Sequence, residues 1–287
     1  MQSSPVRNRL LLVAAAALFS TGGAALKAIT LTGWQVASFR SAIASVVLLA
    51  ALPEARRGWR WSIVPVAAAY AATLILFVLA NRLTTAADTI FLQSTAPLYL
   101  LLLSPLLLHE RIRAGDVLYM LAVLCGIVLF FVGTEHAMAT APDPRRGNLL
   151  ALASGVTYAL MLAGLRWLSL RGHGGSTLAA TALGNVIAAL AVLPLALPVA
   201  HFTAPDVTVL LYLGVVQIGL AYVLLTRGIR HVPAVEATTL LMVEPALSPV
   251  WAWLVHGERP GPWAIAGGAA ILGATLVNTW RHARNAA

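Results

Sequence analysis

Long apolar runs separated by short polar breaks follow one another along the whole chain. A helix needs about 20 apolar residues to cross the hydrocarbon core of a bilayer. Runs of about this length predict ten membrane helices: 10–28, 34–52, 61–81, 86–108, 116–133, 147–169, 176–197, 206–227, 234–255 and 262–280. A membrane β-barrel would instead show strands of about ten residues with alternating polarity. We therefore predict an all-α integral membrane protein.

The first run allows a second interpretation. It has a basic start, an apolar centre and small residues towards its end, as a secretory signal peptide has. Cleavage would leave nine spans. The internal repeat described below needs this helix as a member, and the ten-span prediction is therefore preferred.

Composition agrees with a lipid environment. The chain is 60% hydrophobic and 10% charged, with a mean hydropathy of +0.84, whereas a soluble domain has about 25% charged residues. The net charge of +9 comes from basic residues spread over short loops, which does not predict nucleic-acid binding. The single cysteine, Cys125, excludes an internal disulfide. No metal-ligand spacing and no phosphate loop is present, so we predict no enzyme activity and no cofactor.

The distribution of Lys and Arg predicts the orientation. With the N-terminus inside, 13 of the 19 basic residues lie on the inner side, five on the outer side and one within a span. The outer five and the intramembrane one are Lys27, Arg82, Arg145, Arg146, Arg259 and Arg40. The positive-inside rule then predicts a multi-pass protein of the inner membrane with both termini in the cytoplasm.

The second half of the chain repeats the first at an offset of 148 positions (258 − 110). The tripeptides HER and GER close the fourth and ninth predicted spans, and scarce residues coincide under the same offset. These pairs are Arg82 with Arg230, Asp88 with Glu236, Pro97 with Pro245, and Glu110 with Glu258. Five spans in each unit place the second unit upside down relative to the first. We predict two five-helix repeats, residues 1–140 and 141–287, the second inverted.

These features resemble the EamA family of the drug/metabolite transporter superfamily. The segments STAPLYLLLLSPLLLHER and LMVEPALSPVWAWLVHGER look like the two signature regions of that family, and VASFRSAIASVVLLA looks like its second helix. The resemblance implies ten helices and transport of amino acids or other small metabolites, often outward. The small multidrug exporters of the superfamily carry an acid in their first helix. This chain has none in its first or sixth span, which argues against proton/drug exchange here.

Glu244 is the principal candidate for a functional side chain. It lies near the middle of the ninth predicted span, where a charge costs at least about 2.5–3.5 kcal/mol. Such a group faces a cavity, has a partner or is protonated. It would bind an ammonium group or a proton, or else it is a neutral carboxyl that caps backbone groups near Pro245.

Other polar residues share helix faces with Glu244 or with its repeat equivalent. Ser248 lies one turn further along the ninth span, and Gln93 lies on the matching face of the fourth. Pro97 and Pro245 occupy equivalent positions and are expected to free backbone carbonyls, as hinges or as static kinks. For Ser248, helix–helix packing is an equally good interpretation.

Arg40 and several tyrosines complete the candidate set. Arg40 is expected to snorkel, to pair with an acid or to meet a carboxylate of the substrate. Tyr99, Tyr158 and Tyr222 would line an aromatic pocket, although each alone also fits ordinary packing.

The predicted function is export of a small metabolite, with amino acids favoured, by alternating access. The predicted partners are a small-molecule substrate and membrane lipid; monomer and homodimer both stay open. One alternative is another cargo, such as a nucleotide sugar, vitamin or drug. The other is a membrane enzyme or structural subunit without a transport cycle.

Overall fold

Helices form nearly all of the structure. The computed structural model describes residues 5–107, 114–132, 137–170, 176–229, 232 and 234–286. Within these ranges no β-strand forms, and Met138 and Ala141 make an isolated antiparallel bridge. The all-α prediction is therefore confirmed. The HER tripeptide and Arg230 lie outside the described residues.

The first half contains seven α-helices and the second half contains eight, counted over the residues that the structure describes. The first seven are α1 (Pro5–Ser20), α2 (Gly22–Lys27), α3 (Gly33–Ala51), α4 (Val64–Leu83), α5 (Ala86–Gln93), α6 (Ala96–Leu107) and α7 (Ala114–Val132). The next eight are α8 (Pro144–Leu170), α9 (Ser176–Ala191), α10 (Leu193–Ala196), α11 (Ala204–Leu211), α12 (Ala221–Ile229), α13 (Ala234–Leu241), α14 (Val243–His256) and α15 (Pro262–Ala286). A π-helical segment, Tyr212–Leu220, joins α11 to α12. Two 3₁₀ turns, Pro53–Arg56 and Trp61–Ile63, precede α4.

Seven stretches of the described chain are long and apolar enough to cross a membrane. They are Val6–Lys27, Gly33–Ala51, Trp61–Leu83, Gly115–Val132, Pro144–Leu168, Ala204–Gly228 and Pro262–Arg281. The predicted fourth, seventh and ninth spans are not among them. The longest helices within those three spans have 12, 16 and 14 residues. The protein is therefore a multi-pass membrane protein, and seven of the ten predicted spans are matched by length and composition.

The fourth and ninth predicted spans are each broken at matching positions. In the fourth, α5 ends at Gln93 and α6 begins at Ala96; in the ninth, α13 ends at Leu241 and α14 begins at Val243. The offset of 148 carries the first and last residues of α5 onto those of α13. The breaks thus recur at the same point of the sequence repeat.

The prolines lie just beyond these breaks, in the first turn of the following half-helix, and not in mid-helix as expected. Pro97 is the second residue of α6 and Pro245 the third of α14. The first four N–H groups of a helix have no intrahelical acceptor, so a proline there removes no helix hydrogen bond. Pro249 is the proline that lies inside α14. The chain is already broken before Pro97 and Pro245.

Small residues allow the helices to approach closely. Helix α7 packs against α15, and a methyl group at Gly267 would lie 2.7 Å from the carbonyl oxygen of Gly126. Helix α4 packs against α9, where a methyl group at Gly184 would lie 2.6 Å from Cδ1 of Tyr70. Glycine at these positions brings backbones together, as in many membrane helix pairs.

A buried ion pair closes one end of the helix bundle. The Nζ of Lys27 lies 3.2 Å from Oε2 of Glu258, and the two side chains are 3% and 1% exposed. The backbone N–H of Ala86 donates to Oε1 of Glu258 at 2.5 Å, so this carboxylate also caps α5. Lys27 donates as well to the carbonyl oxygens of Thr84 and Thr140.

The GER tripeptide has a structural explanation at this end. Gly257 adopts a left-handed conformation, with φ of +66°. Its N–H donates to the carbonyl of Trp253, and the N–H of Glu258 donates to that of Ala252. This pattern ends α14 and turns the chain back. Glu258 is thereby brought to the start of α5.

Candidate functional site

Charged, phenolic and amide side chains meet in the interior, between helices of both halves of the chain. We name this group the central cluster: Arg40, Tyr70, Tyr158, Asn185, Tyr222 and Glu244. Its members come from α3, α4, α8, α9, α12 and α14. Four of the six, Arg40, Tyr158, Tyr222 and Glu244, are candidates from the sequence.

Glu244 enters the cluster because of the break between α13 and α14. It is the second residue of α14, where the positive end of the helix dipole favours a carboxylate. Protein surrounds it, and the residue is part-exposed. It interacts electrostatically with the hydroxyls of Tyr158 and Tyr222. Its carboxylate has no ion pair with the residues that the structure describes.

Arg40 forms the positive pole of the cluster. Its side chain, near the middle of α3, is only 2% exposed, which excludes snorkelling to the membrane surface in this conformation. Its Nε has no hydrogen-bond partner, and its electrostatic neighbours are the phenols of Tyr70 and Tyr222. Among the described acids, none pairs with it. A buried guanidinium without a carboxylate is costly and rare in a membrane helix.

Tyr222 is a neighbour of both charges. Its hydroxyl interacts electrostatically with Glu244, with Tyr70 and with Arg40. Its ring packs edge-on against Phe19, with ring centroids 5.3 Å apart, and lies 6.1 Å from the ring of Tyr70. The amide of Asn185 donates to the hydroxyl of Tyr70 at 3.3 Å. The aromatic rings therefore form one wall that carries a line of hydroxyl groups.

Gln93 lies beside the cluster and is held by α8. Its Nε2 donates to Oγ of Ser154 at 2.7 Å, and that hydroxyl donates to the carbonyl of Thr73. Ser154 precedes Tyr158 by one turn of α8, and Thr73 follows Tyr70 by one turn of α4. Gln93 thus occupies the layer next to the two tyrosines.

Tyr99 and Ser248 contact neighbouring helices. A methyl group at Gly155 of α8 would lie 3.3 Å from Cε2 of Tyr99. Ser248 is 2% exposed, and its Oγ would lie 3.4 Å from a methyl group at Gly23. The environment of Ser248 is a contact between α2 and α14, which fits the packing interpretation of this residue.

The π-helical segment shapes the side of the cluster next to Arg40. A methyl group at Gly214 would lie 3.0 Å from the carbonyl oxygen of Arg40, so α3 rests directly on this segment. Gln217 of the same segment is buried and donates to the carbonyl of Phe19. π-helical insertions are often found at functional sites.

Asn185 was not predicted from the sequence. It is the only amide in the seventh predicted span, is fully buried and reaches Tyr70. An intramembrane amide is a usable signal, since polar groups in lipid-facing segments need partners. The described residues contain no group of three or more His, Cys, Asp or Glu placed to hold a metal ion.

A multi-pass helical membrane protein with broken helices and a central pair of opposite charges belongs structurally to the class of transporters. Comparison with known proteins agrees with this class. The EamA-like transporter family matches residues 8–132 and again residues 145–280. The chain belongs to the EamA-like transporter family.

Two individual relatives and one solved structure resemble the chain at low sequence identity. The pseudopaline exporter CntI of Pseudomonas aeruginosa is 27% identical over 275 residues, covering 93% of this chain and 94% of that protein, in each of two strains. A solved crystal structure superposes with a TM-score of 0.64 at 20% identity, over 99% of this chain and all of the other. That likeness concerns the fold.

Proposed function

We propose that the protein is a secondary transporter that exports a small polar metabolite by alternating access, with amino acids as the favoured cargo. The central cluster carries this proposal. Arg40 and Glu244 carry opposite charges and have no ion-pair partners among the described residues, and Glu244 lies at the break of a broken helix. An interior of this kind is suited to a small solute that carries charges of its own.

We further propose ten membrane spans, with the fourth and ninth each made of two half-helices. Helices α5 and α6 contain 8 and 12 residues, and α13 and α14 contain 8 and 14. At 1.5 Å per residue each pair is about 30 Å long, which is the thickness of the hydrocarbon core. Discontinuous helices of this kind surround the substrate site in several transporter folds.

The helix contacts support two inverted repeats, residues 1–140 and 141–287. A two-fold operation that exchanges the halves carries the third span onto the eighth and the sixth onto the first. It would therefore turn the packing of α4 against α8 into the packing of α12 against α1. Both packings are present. The same operation leaves the pairs α3 with α9 and α7 with α15 in place, and these pairs are also present. The two matched family ranges fall one in each half.

The breaks serve as hinges in this proposal, and the Lys27–Glu258 pair closes one end of the pathway. If the protein lies in the inner membrane with both termini in the cytoplasm, that closed end faces the outside. Release of cargo then requires the pair to separate and the half-helices to move. Pro97 and Pro245 keep the breaks in this proposal, because a proline has no N–H to donate to the carbonyl four residues before it. Those carbonyls belong to Gln93 and Leu241, the last residues of α5 and α13, so neither helix continues into the next one.

A second candidate cargo comes from the relatives. The Pseudomonas aeruginosa relative is a pseudopaline exporter, which makes pseudopaline or a related metabolite the alternative to single amino acids. Nucleotide sugars, vitamins and drugs are weaker alternatives. A sugar nucleotide would require several basic groups deep in the site, and Arg40 is the basic member of the central cluster.

The test is counterflow in proteoliposomes that contain only the purified protein. Vesicles are loaded with unlabelled amino acids, and uptake of labelled threonine, methionine and phenylalanine is followed. Saturable exchange is expected for at least one of them. Folded protein that exchanges none would refute amino-acid cargo. Absence of exchange with the wider panel, pseudopaline included, would favour a membrane enzyme or structural subunit.

A further inference from the structure

We propose that Arg40 binds a carboxylate of the cargo while Glu244 binds its ammonium group, so that the central cluster selects a dipolar solute. Two observations carry this inference: the Nε of Arg40 is buried without a hydrogen-bond partner, and the hydroxyl of Tyr222 is an electrostatic neighbour of both charges. It rests on the proposed transport function, because it names the chemistry that the transport site recognises.

The first step is that the protein supplies no counter-charge for Arg40 within the described residues. Five of the described acids are paired elsewhere. They are Glu236 with Arg9, Glu258 with Lys27, Asp116 with Arg281, Asp143 with Arg146, and Asp206 with Thr30 and Thr203. Glu54 and Asp88 also have other interactions. Glu244 is the acid that shares a neighbour, Tyr222, with Arg40.

The second step is that the surroundings of Arg40 match a carboxylate. A guanidinium carries five N–H donors in a planar fork that fits two carboxylate oxygens. The Nε of Arg40 is buried without a hydrogen-bond partner. The hydroxyl of Tyr70 also lies beside it, accepts hydrogen bonds from Asn185 and Tyr222, and keeps its own proton to donate to the same anionic group. A carboxylate bound here would therefore receive charge-assisted and neutral hydrogen bonds together.

The third step is that a purely structural role is a poor explanation of Arg40. A side chain that snorkels reaches the membrane surface, whereas this one is 2% exposed near the middle of α3. A structural arginine in this fold donates to backbone carbonyls, as Arg82 does to Leu26 and Ile29. Arg40 has neutral phenols as its neighbours instead. An unpaired buried charge lowers stability, and binding sites are where such a cost is retained.

The experiment measures binding by the shift in melting temperature of the purified protein in detergent. Three probes separate the charges: phenylalanine has both, phenylalanine methyl ester lacks the carboxylate, and 3-phenylpropionate lacks the ammonium group. The variants are Arg40→Met and Arg40→Lys. The matched control is Ser41→Ala, because Ser41 is the next residue, is fully buried and has a hydroxyl without a partner.

We expect Arg40→Met to weaken binding of phenylalanine and 3-phenylpropionate at least about tenfold, because a hydrogen bond to a charged group is lost. Binding of the ester should stay unchanged. The melting temperature without probe should not fall, since an unpaired buried charge is removed. Arg40→Lys should retain part of the carboxylate affinity, and Ser41→Ala all of it.

Four results would overturn the proposal. They are an equal loss for all three probes, no loss for any probe, unfolding of Arg40→Met, and a wild-type protein that neither carboxylate stabilises. A counterflow assay on the same protein distinguishes failure of this binding proposal from failure of the proposed transport function. Transport without carboxylate discrimination would reject the role of Arg40 alone. Carboxylate binding without any counterflow would reject transport while keeping the binding site.

Discussion

Replacing Glu258 with glutamine should destabilise the closed end of the bundle by about 3 kcal/mol. Breaking a buried ion pair costs about 3–5 kcal/mol, because the remaining charge stays out of water without its partner. Lys27 and Glu258 are 3% and 1% exposed in their side chains and 3.2 Å apart. The lower value is expected, since Lys27 keeps the carbonyl oxygens of Thr84 and Thr140 as acceptors.

Glutamine keeps an oxygen for the N–H of Ala86, whereas alanine does not. Glu258→Ala should therefore cost about 1 kcal/mol more, the usual contribution of such a cap. The charge itself is tested by the double variant Lys27→Met with Glu258→Gln. The two changes should be coupled by at least about 2 kcal/mol, because the second removes the charge that the first leaves unpaired.

The assay is unfolding of the purified protein in mixed micelles, titrated with a denaturing detergent. The matched control is Glu236→Gln, which breaks the ion pair with Arg9, where the side chains are 34% and 51% exposed. That pair should contribute less than about 1 kcal/mol. If Glu258→Gln costs no more than Glu236→Gln, or if the double variant is additive, the ion pair does not hold this end closed.

Three further predictions follow from the fold. Pro245→Ala should change the free energy of unfolding by less than about 1 kcal/mol, because the proline lies in the first turn of α14. The variant should nevertheless slow counterflow, because alanine permits a continuous helix, and an unchanged rate would exclude a role in the hinge. Gly267→Ala should destabilise the contact of α7 with α15 by about 1–3 kcal/mol, whereas Gly273→Ala, where nothing lies within 4 Å, should not; equal effects would refute the close packing. A C-terminal reporter that is active only outside the cytoplasm should stay silent, and activity would overturn the proposed orientation.

The helical segments were predictable from the sequence because lipid imposes long apolar runs. The helices α3, α4, α7 and α15 begin or end within a few residues of the predicted spans. The breaks were not predictable in the same way. The residues at the ninth-span break, Leu241 to Val243, are apolar and continue the hydropathy of their neighbours. The ninth-span break therefore has no polar signal, and Pro245 is the sequence feature that lies next to it.

The candidate site was predicted in part for a similar reason. Glu244 and Arg40 stand out as charges in lipid, and the cost of a charge there makes them noticeable in any membrane segment. Their common neighbour Tyr222, and Asn185 beside Tyr70, depend on which helix faces which. That information comes from the packing of α4 against α9 and of α1 against α12. Pro97 and Pro245 were expected in mid-helix and lie instead in the first turn after a break, and their role as hinges stays a prediction.

Counterflow by the Glu244→Gln variant tests most directly whether the central cluster is the transport site. Wild-type protein, Glu244→Gln and the control Glu54→Gln, whose acid lies in the 3₁₀ turn before α4, are reconstituted at equal amounts. We predict saturable exchange by the wild type and by Glu54→Gln. Glu244→Gln should keep its melting temperature and lose most of its exchange. Full exchange by Glu244→Gln would contradict the account and remove this carboxylate from the mechanism.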